Sequence, residues 1–259
     1  MIPQIYIMAA LTLALSLGLW GGLIYLFTGR QKRYFWLLVL GLPLSAIANL
    51  VFKAELAEWV GRAAQIEPYL GLAAPAWFVA YKMMLTPLVE ETLKAAPLLL
   101  RPVRRMVTSR MSALWVGFVL GVSFGLGEAA FLAYGIAQAG VYNHLPWYAF
   151  TGYLNERLLA CFAHGVLTAI LVRGLQRGGW FTLYGFGASM GLHLFLNAPS
   201  ILYALKWISF ELYNFALVVP FIVLAVIFER VRRATREPKE DQHSDEVVFW
   251  QREGNGAGE

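Results

Sequence analysis

Eight polar residues stand inside long apolar stretches of this chain: Glu90, Glu91, Lys94, Glu128, Arg157, His164, His193 and Asn197. An ionisable group at the centre of a bilayer costs about 2 to 3 kcal/mol on the gentlest insertion scale, so a set of them points to a site. Their spacing follows the helix. Glu90 and Lys94, Phe124 and Glu128, His164 and Thr168, and His193 and Asn197 are i,i+4 pairs, each sharing one helical face. Two adjacent carboxylates, two histidines and an asparagine can hydrolyse a bond: a glutamate takes a proton from water, and His or Asn donates to the developing oxyanion. The bland alternative is an ion-pair network, Glu91 with Lys94 and Glu128 with Arg157, that only ties helices together. It leaves both histidines without a role.

These residues need elements to hold them, and composition says which. Of 259 residues, 59% are hydrophobic and 14% charged, with mean hydropathy +0.58, which excludes both a disordered chain and an ordinary soluble domain. Crossing a hydrocarbon layer of ~30 Å takes ~20 helical residues, and runs of that length fall at 5 to 28, 34 to 52, 77 to 100, 111 to 137, 153 to 172, 180 to 199 and 209 to 229. The expected fold is all-α: a polytopic transmembrane helical bundle of about seven spans over residues 1–229, with motif core 77–199. Residues 230–259, ending Gly254-Asn255-Gly256-Ala257-Gly258-Glu259, read as a flexible cytoplasmic tail with too little apolar content for a core. The first run follows Met1-Ile2-Pro3-Gln4, which has no basic segment, and is expected to be an uncleaved helix.

Alternate loops carry Arg30, Lys32 and Arg33; Arg101, Arg104, Arg105 and Arg110; Arg173 and Arg177; and Arg230, Arg232, Arg233, Arg236 and Lys239. The positive-inside rule puts these in the cytoplasm, the amino terminus outside and the carboxyl terminus inside. Lys53, Arg62 and Lys206 are then the clearly extramembrane basic residues on the outside. The expected location is the cell membrane, multi-pass, with the lipid bilayer as a partner. Trp36, Trp77, Trp147, Trp180 and Trp207 fall near span ends as headgroup anchors. Residues 53 to 76 are the longest outside loop; its Ala, Glu, Trp and Ile suit a short interfacial helix, but their periodicity is too ragged to assign one. Gly117, Gly121 and Gly125, and Gly187 and Gly191, permit close helix approach, and Pro87 can loosen the helix just before the acidic pair. The net charge of +5 comes without a basic, aromatic-interleaved surface, so no nucleic acid is expected. The lone Cys161 reads as a core residue.

In order, Glu90-Glu91-Thr92-Leu93-Lys94, Phe124-Gly125-Leu126-Gly127-Glu128, Arg157 with His164 and Thr168, and His193-Leu194-Phe195-Leu196-Asn197 resemble the motifs of PrsW-type intramembrane proteases. That group belongs to the superfamily of CAAX prenyl endopeptidases and bacteriocin-processing glutamic intramembrane proteases. The resemblance covers roughly residues 77 to 199. It implies a metal-independent, glutamate-dependent endopeptidase with no cofactor, acting on a membrane-anchored protein or peptide. Glu90 would be the base, Glu91 would support the site, and His193 and Asn197 would hold the oxyanion; Lys94, Phe124, Arg157 and Thr168 would be supporting residues. The CAAX branch has Phe-x-x-x-His where this chain has Phe124-x-x-x-Glu128, and Glu-Glu-x-x-x-Arg where it has Glu90-Glu91-x-x-Lys94. Both departures favour the PrsW branch and leave Glu128 and His164 as two candidates for the second water-activating group. PrsW-type members cut an anti-sigma factor on its extracytoplasmic side.

Three rivals stand beside this reading. A zinc hydrolase would use His164, His193 and a Glu with one position open for water, although no His-Glu-x-x-His helix is present. A transporter would use the same polar centre as a proton or solute path, against the absence of internal repeats. A non-catalytic scaffold would keep the residues without the reaction. Gly187-Ala188-Ser189-Met190-Gly191 is a poor rhomboid-like motif, and Ser189 reads as a small packing residue. His144 and His243 fall in a loop and in the tail; Asn49, Glu211 and Asn214 read either as interhelical hydrogen-bonding groups, the safer reading, or as lining of a substrate entry. Oligomeric state has no signature in the chain.

Overall fold

The computed structural model describes residues 3–66 and 74–235. The described residues are helical without strands. Seven long helices follow one another: α1 Ile5–Phe27, α2 Lys32–Ala63, α3 Ala76–Ala95, α4 Arg110–Ala139, α5 Thr151–Arg177, α6 Trp180–Ala204 and α7 Phe210–Ala234. Five of them, α1, α2, α4, α5 with its leading turn from Trp147, and α7, are long and apolar enough to cross a membrane. The other two have the length, but α3 carries Lys82, Glu90, Glu91 and Lys94, and α6 carries His193 and Asn197. The chain is a membrane protein by this measure, and its two least apolar long helices are those that bring the polar set.

Local sequence explains where the helices stop. Ser109 and Ser112 form a reciprocal capping box at the start of α4, and Gly140 ends it at φ +72°, a left-handed backbone that glycine adopts without a Cβ penalty. Two residues, Gly178 and Gly179, join α5 to α6, which forces these helices to lie antiparallel. α3 runs unbroken through Pro87. α2 is longer than expected: with no Gly or Pro between Pro43 and Gly61, the helix continues through Lys53 as a π-helical stretch, Ala48–Lys53, and on into the amphipathic segment Ala54–Ala63. The helical part of the expected outside loop is thus an extension of α2, whose Trp59 is exposed. Residues 67–73 of that loop, and 236–259 of the tail with His243, lie outside the described residues.

The core is built on α4 and α5. α4 is apolar on nearly every face and buried from Ser112 to Gly127, as expected of a helix surrounded by others. Its glycines set the spacing. A Cβ at Gly117 would lie 2.7 Å from Ala169 Cα, one at Gly125 2.7 Å from Cys161 Cα, and one at Gly121 would overlap the His164 carbonyl oxygen. Gly187 and Gly191 do not act this way: nothing lies near their Cβ positions, and the expectation of close packing there is corrected. The close approach on α6 is instead Gly185 against Gly174 of α5. Trp115, Phe118, Phe162 and Phe228 form an aromatic cluster between α4, α5 and α7. Trp36, Trp77, Trp147, Trp180 and Trp207 are exposed, as headgroup anchors are. Cys161 is fully buried.

Candidate active site

Four helices, α3, α4, α5 and α6, bring the polar set together, and α2 adds a residue that the sequence reading placed outside the membrane. The faces anticipated from the i,i+4 spacing do converge. Glu90, Glu91, Lys94, His164 and His193 are buried, and Glu90, Glu128, Arg157, His164, His193 and Asn197 line one pocket. Glu128, whose place along α4 pointed nearer the outer surface, is in the cluster: its Oε2 accepts from Arg157 at 2.8 Å and from His164 Nε2 at 2.9 Å.

The adjacent glutamates have unlike environments. Glu91 points away from the pocket and is saturated: Oε1 accepts from Lys94 Nζ and His193 Nδ1, both at 2.7 Å, and Oε2 accepts from Ser189 Oγ at 2.7 Å. Glu90 lines the pocket. Its Oε1 accepts from Lys53 Nζ at 2.8 Å, whereas its buried Oε2 has no hydrogen-bond partner among the described residues. His193 Nε2 lies 3.8 Å from that oxygen and Lys94 Nζ 3.9 Å. A separation of 3.8 Å is too long for a direct hydrogen bond and too short for an oxygen in line between the two atoms; a reacting oxygen contacts both from the side. A carboxylate with a free lone-pair oxygen is equipped to take a proton; one with three donors on it is equipped to orient its partner.

Each histidine is oriented by a carboxylate. The Glu91 bond at Nδ1 of His193 leaves its Nε2 facing Glu90. Lys94, as an ammonium, has no lone pair, so it donates to His164 Nδ1 at 2.7 Å and the proton of that ring sits on Nε2, donating to Glu128. Both ring nitrogens of His164 are therefore engaged. Phe124 packs against the cluster: its ring lies 4.6 Å from Lys94 Nζ and 5.3 Å from the His164 ring. Arg157 also holds Glu156 at 2.5 Å.

Some placements differ from expectation. Thr168 does not reach the cluster; its hydroxyl donates to the His164 carbonyl at 2.9 Å, a backbone role. Lys53, assigned by the sequence to the outside, ends the π-helical stretch of α2 and pairs with Glu90. The unbroken helix signal between Pro43 and Gly61 was its clue. Ser189 is a hydrogen-bond donor and more than a packing residue, and its spacing four before His193 and eight before Asn197 puts all three on one face of α6. Asn49 bonds back to Ser45 within α2. Glu90, His164 and His193 offer one donor atom each within 4.8 Å of one another, the nearest approach to a metal set among the described residues. Compared with known protein families, curated proteins and solved structures, the chain has no match.

Proposed function

We propose that this chain is an intramembrane endopeptidase that cuts a membrane-anchored protein or peptide with glutamate-activated water. The observation that carries this reading is the buried, unpartnered Oε2 of Glu90, a residue that lines the pocket, 3.8 Å from the Nε2 of a histidine that a second carboxylate holds. Water between Glu90 Oε2 and His193 Nε2 gives its proton to Glu90 as its oxygen adds to the scissile carbonyl carbon. His193 Nε2 and the Asn197 amide are the donors to the oxyanion, and Glu90 then returns the proton to the leaving amine. Lys53, Lys94 and Arg157 oppose Glu90, Glu91, Glu128 and Glu156. Glu91 and Lys94 position; Glu128 and His164 close the pocket wall. The ordered resemblance to PrsW-type proteases supports the same chemistry, with an anti-sigma-factor-like regulator as a substrate class.

Seven spans, with the amino terminus outside and the carboxyl terminus cytoplasmic, belong to this proposal. α3 and α6 fall short on apolarity in part because of Glu90, Glu91, Lys94 and His193, which are buried inside the bundle, where lipid does not meet them. Glu90 is then ~21 Å along α3 from Ala76, at 1.5 Å per residue, which puts it past the midplane of a ~30 Å layer counted from the outer side.

Amino-terminal profiling of membrane-protein fragments tests the reading in cells carrying the wild-type chain, Glu90→Gln or His193→Ala at matched expression. Fragments ending within or just outside the membrane should appear with wild type alone. Identical profiles across stresses would sink the hydrolase and return the polar centre to transport or scaffolding. A zinc hydrolase remains the second reading because of the Glu90, His164 and His193 set; it requires His164 to release Lys94 or Glu128.

A further inference from the structure

The polar cluster contains the makings of a metal site with a side-chain cation already in it. Glu90, His164 and His193 each present a donor atom within 4.8 Å of the others, and Glu90 Oε2 is buried and lacks a hydrogen-bond partner. Lys94, wholly buried, has its ammonium 2.7 Å from His164 Nδ1, 3.9 Å from Glu90 Oε2 and 2.7 Å from Glu91 Oε1, the oxygen that also holds His193. Glu90, Glu91 and His164 thus face one ammonium directly, and His193 is held by an oxygen bound to it.

We propose that Lys94 is a resident cation occupying a latent metal site: it holds Glu91 and His164 in place by hydrogen bonds, sets its charge beside Glu90 and keeps a divalent ion out. A buried ammonium does what a metal would do for the framework, since it compensates the carboxylates and orients both rings. It differs in the chemistry it leaves behind. An ammonium has no open coordination position and cannot activate water as a Lewis acid, so proton removal falls to Glu90. The α3 face that places Glu90 and Lys94 four residues apart therefore selects a glutamate mechanism over a zinc one. The catalytic consequence rests on the hydrolase reading; the metal exclusion does not.

The test is metal content of the full chain, purified in detergent, dialysed against Zn2+ or Co2+ and freed of loose ion. Wild type and Lys94→Arg should retain about none, and Lys94→Met about one ion per chain, as three protein ligands and an open position allow. Bound Co2+ should give the visible absorption of a four-coordinate site, lost again in Lys94→Met with His193→Ala. A tightly held ion in wild type would overturn the proposal, as would a folded Lys94→Met that binds none. Where Lys94→Met does not fold alone, Lys94→Gln is purified with Zn2+ present throughout; failure to recover a zinc-bound chain from both variants also overturns it. Because these readouts need no substrate, loss of the protease reading in fragment profiling would leave the metal result standing, and the reverse.

Discussion

The α4–α5 pair has two unlike sides. Toward α3 and α6 it presents Phe124, Glu128, Arg157 and His164, whose groups are joined to one another and to Lys94 by hydrogen bonds, ion pairs and ring contacts. Toward α1 and α7 it presents Trp115, Phe118 and Phe162, packed with Trp20, Phe27 and Phe228. The glycines of α4 hold the two helices together between these sides. In lipid no hydrophobic force drives helices together, so the aromatic side stabilises through dispersion and close packing alone. The polar side carries charges whose removal leaves partners stranded. One side should therefore control chemistry and the other stability, and substitutions can separate them.

The largest effect is expected at the polar side. Glu90→Gln keeps the shape but removes the base, and cleavage per folded molecule should fall about a thousand-fold, within the range for general bases; a thermal melt in detergent checks that the fold persists. Next, Lys53→Met strands the Glu90 carboxylate, and breaking a buried pair costs about 3 kcal/mol. Lower melting temperature together with lower kcat, both recovered in Lys53→Arg, would place Lys53 in the site; an unchanged rate would make it structural.

On the aromatic side, Phe228→Ala opens a cavity beside Trp115, Phe118 and Phe162 and should cost about 3 kcal/mol of stability. Cleavage per folded molecule should stay within about two-fold, because no group of the polar cluster touches Phe228; a larger fall would break the division between the two sides. The seam between them should show a smaller effect. Gly121→Ala pushes against the His164 carbonyl and should lose about 2 kcal/mol by overpacking, whereas Gly187→Ala, with open space around it, should change stability by less than about 0.5 kcal/mol. Equal effects at the two glycines would contradict the packing seen here.

Much of the helix inventory was legible beforehand because apolar length and i,i+4 spacing are local properties. Even so, α2 ran past its expected end at residue 52 through a π-helical stretch that no composition rule marks, and that extension carried Lys53 to Glu90. The partners of each polar group were less legible than the groups themselves. The pairs Glu91 with Lys94 and Glu128 with Arg157 belonged to the alternative to catalysis, a network that only ties helices together, and both occur; that His164 would bridge the two was not anticipated, since it requires the relative heights of three helices.

The sequence by itself determined that the chain is helical and apolar, and which faces of α3, α4, α5 and α6 carry acid, base and amide. Only the tertiary structure decided that Glu90 keeps a free oxygen while Glu91 is saturated, that Thr168 turns to the backbone, and that Gly121 is a contact while Gly187 is not. The reason is geometric. One residue turns a helix by about 100° and advances it by about 1.5 Å, so a small difference in how two helices dock exchanges one neighbour for another, and nothing within a single helix records that choice.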